Sequence, residues 1–164
     1  MAKGKRAHLK DKEAKLILER ISKILSLAQT NFIDNNSKFE AMSLNFGGRV
    51  FFVDEIPSFI ESGNEIFPTL FNERVLSKIP SLTVNVGAVP YICNGADIMA
   101  PGVTEANGDF EVDRIITISE EKFSKKIAVA RALYNSQEII GKQQGKVAEN
   151  LHYVSDKFWK AIKQ

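Results

Sequence analysis

The sequence predicts an α+β protein, an N-terminal α/β domain followed by a small C-terminal β-barrel, and three observations lead there. One amphipathic helical pattern stands near the start, a Gly-Gly hairpin follows it, and from residue 83 onward short β-prone runs alternate with glycine, proline and asparagine. At 164 residues, with 44% hydrophobic and 26% charged side chains, the chain has material for one good core or two small ones.

Ala14, Ile17, Leu18, Ile21, Ile24, Leu25 and Ala28 recur three and four residues apart, which puts them on one helical face. Lys15, Glu19, Arg20 and Lys23 fall elsewhere, and this mixture of signs suits packing on a sheet rather than on a membrane. A strand is expected over 38–46, Gly47-Gly48 supplies positive φ for a tight turn, and Val50-Phe51-Phe52-Val53 resumes an extended run. Two strands therefore follow one helix in this reading. Pro57 and Gly63-Asn64 interrupt the pattern before Ile66-Phe67-Pro68-Thr69-Leu70 leads into a short helix over 70–78. That helix stops at Ile79-Pro80, because a residue before proline avoids the helical region. The domains are accordingly drawn as 1–77 and 78–164. Beyond the boundary, strands are expected over 83–86, 98–100, 112–118, 126–134 and 151–154, the spacing of a small barrel. A helical turn is expected over 88–93, with Pro90 tolerated in its first turn, and a second short helix over 136–140.

The formal charge of +2 is unevenly spread. Residues 1–26 hold eight basic and three acidic side chains, 27–77 hold three and seven, and 78–164 hold eleven and ten. The excess sits in a basic arm, Lys3, Lys5, Arg6, Lys10 and Lys12, which suits contact with phosphates. Cys93 is the single cysteine, so no internal disulfide forms, and with only His8 and His152 beside it neither a metal site nor a cofactor is expected. No apolar run reaches the length of a membrane span and the N-terminus does not read as a signal peptide, so a cytoplasmic protein without a membrane partner is expected. Walker-type loops, nucleophile elbows and His/Cys metal spacings are missing, and no catalytic residue is nominated. Asp54-Glu55 is read as two solvated carboxylates on opposite faces of a strand.

Residues 87–103, Gly-Ala-Val-Pro-Tyr-Ile-Cys-Asn-Gly-Ala-Asp-Ile-Met-Ala-Pro-Gly-Val, resemble the signature of PUA domains, the module shared by pseudouridine synthases and archaeosine transglycosylases. Residues 141–156, followed by Phe158-Trp159, are similar to the closing strand and C-terminal cap of that family. Together they cover about 78–160 and imply a PUA-type pseudo-β-barrel. The Ile66-Phe67-Pro68-Thr69-Leu70 segment with Lys78-Ile79-Pro80 resembles the junction in the malignant T-cell-amplified family of translation re-initiation factors and their archaeal relatives, where an α/β domain precedes the PUA domain. The resemblance implies a non-catalytic factor on the small ribosomal subunit that handles tRNA or contacts rRNA in initiation, re-initiation or recycling, beside a protein partner with an initiation-factor-like domain. The alternative is an RNA-docking subunit of a tRNA-modifying enzyme of the archaeosine transglycosylase or pseudouridine synthase type.

Within that frame the residues nominated for structured RNA are Asn94, Gly95, Ala96, Asp97, Met99, Lys142 and Lys146, with Lys3, Lys5 and Arg6 of the arm. Gly95, lacking Cβ, lets a phosphodiester approach while neighbouring amide hydrogens donate to it; the duller reading is a turn the barrel alone requires. Asp97 is expected to brace the turn ahead of reading a base. Met99 and Tyr91 are expected in the core ahead of packing on a nucleotide. Lys142 and Lys146, in a loop beside glycines, act as point charges. His152 is read as a buried, hydrogen-bonded histidine rather than a general base, and Phe158 and Trp159 as plugs of the barrel end.

Overall fold

The structure, a computed structural model, describes residues 4–25, 33 and 36–164. The chain groups into two compact units, Met1–Lys78 with Lys160–Gln164, and Ile79–Trp159.

The first unit holds strand β1 (Arg6–His8), helix α1 (Asp11–Ile24), strands β2 (Phe39–Ser43), β3 (Arg49–Val53), β4 (Ile56–Ser62) and β5 (Glu65–Pro68), and helix α2 (Glu73–Leu76). Its strands form an antiparallel meander in sequence order. Helix α1 carries Asp11 and Glu13 in its first turn and Lys23 in its last, the charge order its dipole favours. It buries Ile17, Ile21 and Ile24, as the periodicity requires, and ends before Ala28, which lies outside the described residues. Arg20 and Arg49 both grip Glu61 of β4, at 2.7 and 2.9 Å. Burial alone would push the Glu61 carboxyl up, but hydrogen bonds from Arg49 and Arg20 outweigh it and hold the group below the ordinary carboxylate range.

The Gly47-Gly48 hairpin forms as expected, with φ of 96° and 86° at the glycines and Phe39 facing Val53 at the far end. A Cβ on Gly48 would collide with the Glu61 carbonyl oxygen, so glycine is required there. Three strands of this unit, β1, β4 and β5, went unread in the sequence. Arg6, Ala7 and His8 do not dangle as an arm: they pair with Met42, Ala41 and Glu40 as an edge strand. An edge strand held by main-chain bonds with its side chains in water needs no apolar alternation, and its sequence therefore reads as a solvated tail. Strand β4 was hidden by Pro57. Phe51 faces Phe59 while Phe52 faces Pro57, so Ser58 is an extra, bulged residue, the setting in which a strand tolerates proline. Asp54 and Glu55 are likewise not strand residues. At φ of 49° and 72° they form the two-residue β3–β4 turn, and Asp54 accepts a 2.8 Å hydrogen bond from the Lys38 amide. The helix expected over 70–78 shortens to α2 because Asn72 caps it, accepting from the Arg74 amide at 3.1 Å.

The second unit holds strand β6 (Ser81–Val84), a 3-10 turn (Val86–Ala88), helix α3 (Val89–Ile92), strands β7 (Ile98–Met99), β8 (Val103–Asn107), β9 (Ile115–Glu120) and β10 (Lys126–Ala132), helix α4 (Ser136–Gly141), strand β11 (Lys146–Tyr153) and the start of helix α5 (Lys157–Lys163), whose residues from Lys160 onward group with the first unit. The sheet runs β7-β11-β10-β9-β6-β8, with β6 parallel to β9 and every other described pairing antiparallel. Alternate residues point inward, among them Leu82, Val84, Ile116, Ile118, Val147 and the alanines 128, 130 and 132 of β10, whose small side chains leave room for the larger ones opposite. Strand β8 was not foreseen, since Thr104, Glu105 and Asn107 of this edge strand are exposed or half-exposed and polar. No helix among the described residues is long and apolar enough to cross a membrane, and no described cluster of three His, Cys, Asp or Glu is placed to hold a metal ion.

Candidate nucleic-acid interface

The segment after β6 turns because Asn85 caps it: its side chain accepts from the Ala88 amide at 2.9 Å, and Pro90 occupies the first turn of α3 without losing a bond. Helix α3 then ends against the turn 94–97. The amides of Asn94 and Ala96 donate to the Tyr91 carbonyl at 3.1 and 3.0 Å, and that of Gly95 donates to Ile92 at 3.0 Å. Gly95 takes φ of 97°, the left-handed position in which helices commonly end. This corrects the expected phosphate cradle. The turn amides are already consumed by the carbonyl end of α3, an end whose partial charge is negative and does not attract phosphate. The missing Cβ of Gly95 serves Tyr153 instead, whose hydroxyl oxygen would lie 3.2 Å from it.

The turn is pinned from β11. The Asn150 side-chain amide donates to the carbonyls of Ile92 and Ala96 at 3.1 and 2.9 Å, and the Asn150 main-chain amide donates to Asp97 Oδ1 at 2.9 Å. Asp97 Oδ2 pairs with Lys146 Nζ at 2.9 Å. Burial would raise the Asp97 carboxyl, but the Asn150 amide and then Lys146 pull it below its usual range, while Asp97 in turn holds the Lys146 ammonium above its own. Asp97 is therefore a brace, in agreement with the sequence. Asn150 was missed; an asparagine inside an otherwise closing strand was the available signal.

Around this frame lies an open, mostly apolar cleft of about 350 Å³, bounded by Asn85, Tyr91, Asp97, Met99 and Pro101. Tyr91 is 71% exposed and Met99 48% exposed, which corrects the expectation that both belong to the core. Strand β7 is a two-residue edge strand, so one of its side chains points away from the barrel, and α3 is a single turn with an outer face.

The PUA domain family matches residues 80–154. An uncharacterized protein of Methanocaldococcus jannaschii is 34% identical over 113 residues, 67% of this chain and 68% of that protein. Translation machinery-associated protein 20 of Saccharomyces cerevisiae is 25% identical over 134 residues, 77% of this chain and 74% of its own length. The malignant T-cell-amplified sequence 1 homolog of Drosophila melanogaster is 31% identical over 101 residues, 57% of this chain and 54% of its own length. The chain belongs to the PUA-domain family that includes these proteins. A crystal structure of a PUA domain from Aeropyrum pernix K1 shares the fold, with a TM-score of 0.83 at 21% identity, covering 98% of this chain and 91% of that one.

The remaining nominated residues take different places on the PUA barrel and in the first unit. Lys146 opens β11 rather than lying in a loop, because pairing with Met99 of β7 extends the strand back to it. Lys142 follows α4, half-buried, with Nζ 4.0 Å from the centre of the Tyr134 ring. Asn94, Gly95 and Ala96 are exposed. Lys5 and Arg6 are exposed in the first unit, where the Arg6 guanidinium lies 4.6 Å from the Phe52 ring centre, and Lys3 lies outside the described residues. His152 is fully buried, with Nδ1 2.8 Å from Asp156 Oδ2, as a structural histidine should be. Phe158 is buried and meets the His152 ring edge-on at 6.1 Å, while Trp159 is half-buried.

Proposed function

We propose that this protein is a non-catalytic translation factor whose PUA barrel holds structured RNA, tRNA or rRNA, on the small ribosomal subunit during initiation, re-initiation or recycling. Membership of a family with translation machinery-associated relatives supports the setting. The observation that carries the reading is the exposed Tyr91 and Met99 beside a braced turn, with Lys146 at its edge and Lys142 on the same barrel. Such a surface offers stacking and point charges rather than a main-chain phosphate cradle. The Lys146–Asp97 pair does not forbid a phosphate contact: its side chains are 50% and 30% exposed, and solvent screens a pair at that exposure, so the ammonium is shared at little cost. A protein partner with an initiation-factor-like domain belongs to the same proposal.

Sedimentation tests it. The protein is expected to travel with small ribosomal subunits at low salt and to be released as salt rises, and reversal of Lys142 and Lys146 to Glu is expected to weaken the association. Absence of both subunit and tRNA binding at low salt ends the proposal. RNA binding untouched by the reversal would move the contact off this surface, and stable capture of a transglycosylase or pseudouridine synthase would favour the RNA-docking subunit.

A further inference from the structure

Helix α3 faces two depressions. Ala88, Tyr91 and Ile92 line the cleft just described, whereas Val89, Pro90 and Cys93 line a second, of about 380 Å³, closed on its far side by the β9–β10 turn. Its interior is apolar, formed by Val89, Pro90, Ile127 and Val154, and its rim carries Phe123, Lys122 and Lys125. The volume falls within the range of small-molecule pockets, enough for one nucleobase.

Phe123 is 77% exposed, the most exposed large apolar side chain among the described residues. A flexible turn would let such a ring fold back; this one is fixed. The Glu120 carboxylate accepts from the amides of Lys122, Phe123 and Lys125 at 2.7, 2.8 and 2.9 Å, the Glu120 amide donates to the Lys125 carbonyl at 3.0 Å, and Ser124 sits at φ of 56°. The backbone that carries the ring is thus set at the edge of an apolar depression before any ligand arrives, and little further ordering of the turn is needed to use it. Lys122 Nζ lies 5.2 Å from the Phe123 ring centre and Lys125 lines the same depression, so two ammonium groups accompany the exposed ring, while the Glu120 and Glu121 carboxylates, which accept main-chain amides, balance their charge. An aromatic face with a cation beside it takes a base on its π-surface and the adjoining phosphate on the cation.

We propose that this pocket receives one unpaired nucleobase of the bound RNA, stacked on Phe123, with Lys122 and Lys125 on the flanking phosphates. The proposal rests on the RNA-binding reading above and adds to it a second contact on the other side of α3, specific for unpaired nucleotides. With hydrocarbon walls and few polar groups pointing inward, the pocket tolerates any base and prefers the larger purines.

The test uses the full chain and two RNAs, a blunt-ended hairpin and the same hairpin with two unpaired 3′ adenosines, in a fluorescence anisotropy titration. Wild type is expected to bind the extended hairpin more tightly, and Phe123→Ala to lose about tenfold on it while binding the blunt hairpin unchanged. Phe123 is exposed, so the variant folds; matching thermal unfolding with wild type verifies this. Cys93 reports independently, since it lines the pocket and is the only thiol: the extended hairpin should slow its alkylation and the blunt one should not. Equal binding of both hairpins by wild type, with no protection of Cys93, overturns the base pocket and leaves the RNA-binding reading standing. Failure to bind either hairpin or small subunits at low salt overturns both. Unchanged RNA affinity in Phe123→Ala, with loss of a ribosomal protein contact, reassigns the pocket to a protein side chain and overturns it too.

Discussion

The turn at 94–97 is tied down from β11, through hydrogen bonds that span 53 to 58 residues, whereas the turn at 121–124 is tied by Glu120 to amides two to five residues away. Both present side chains to solvent on either side of α3. Both also hold bonds of the other kind, from the 94–96 amides to the Tyr91 and Ile92 carbonyls and from Glu121 to Val84 and Val86, but the side-chain brace of the first turn is distant and that of the second is local. Asp156 stands between them, accepting from the Tyr153 and Trp159 amides at 2.9 and 2.7 Å, each three residues away, and facing the buried His152.

Three substitutions sharpen this contrast. Asn150→Ala removes two cross-barrel bonds, leaving the Ile92 carbonyl with the Gly95 amide and the exposed Ala96 carbonyl to water, so it should cost about 2–3 kcal/mol in chemical denaturation and speed amide exchange at 94–96 while sparing 122–125. Equal acceleration in both turns would show that they are not independent.

Asp156→Asn should cost less, about 1–3 kcal/mol at neutral pH, and its effect should depend on pH. Burial opposes the charge on Asp156, but the His152 hydrogen bond and then the Trp159 and Tyr153 amides outweigh it, so the carboxyl titrates below its ordinary value of 3.8. A depressed carboxyl stabilises the fold above its unfolded value and loses that contribution as pH falls through the folded one. Wild type and variant should thus differ most near neutrality and converge below about pH 4, in thermal melts across that range.

Glu120→Gln should have the smallest effect on global stability. Its signature is local: faster exchange at the amides of Lys122, Phe123 and Lys125, with the 94–96 amides unchanged. A change confined to 94–96 would mean that the two turns had been assigned the wrong braces.

The same contrast governs what the sequence disclosed. Features decided by near neighbours were legible: the Gly47-Gly48 turn, the helix periodicity of Ile17 and Ile21, and the ordered PUA segments. Features decided across the chain were not. Nothing near Asn150 announces that its amide reaches Ile92 and Ala96, and nothing near Tyr91 or Met99 reveals that their neighbours turn them outward. The Gly95 amide fell between the two cases, because the glycine turn was visible while the carbonyl that claims its hydrogen depends on where α3 ends. Strands β1 and β8 were invisible for another reason, since a sheet margin is held through its backbone and places little demand on side-chain identity.

The parallel pairing of Ser81 with Thr117 encloses the 94–97 turn in a loop whose two ends are joined by strands, and its clamp, Asn150, comes later still. A ribosome making this protein releases the glycine turn first and the asparagine that shapes it several seconds afterwards, at ordinary elongation speeds of about 5–20 residues per second. The nascent chain therefore passes through a stage in which the glycine turn has emerged but the strand that braces it has not. The turn takes its final shape late, with β11.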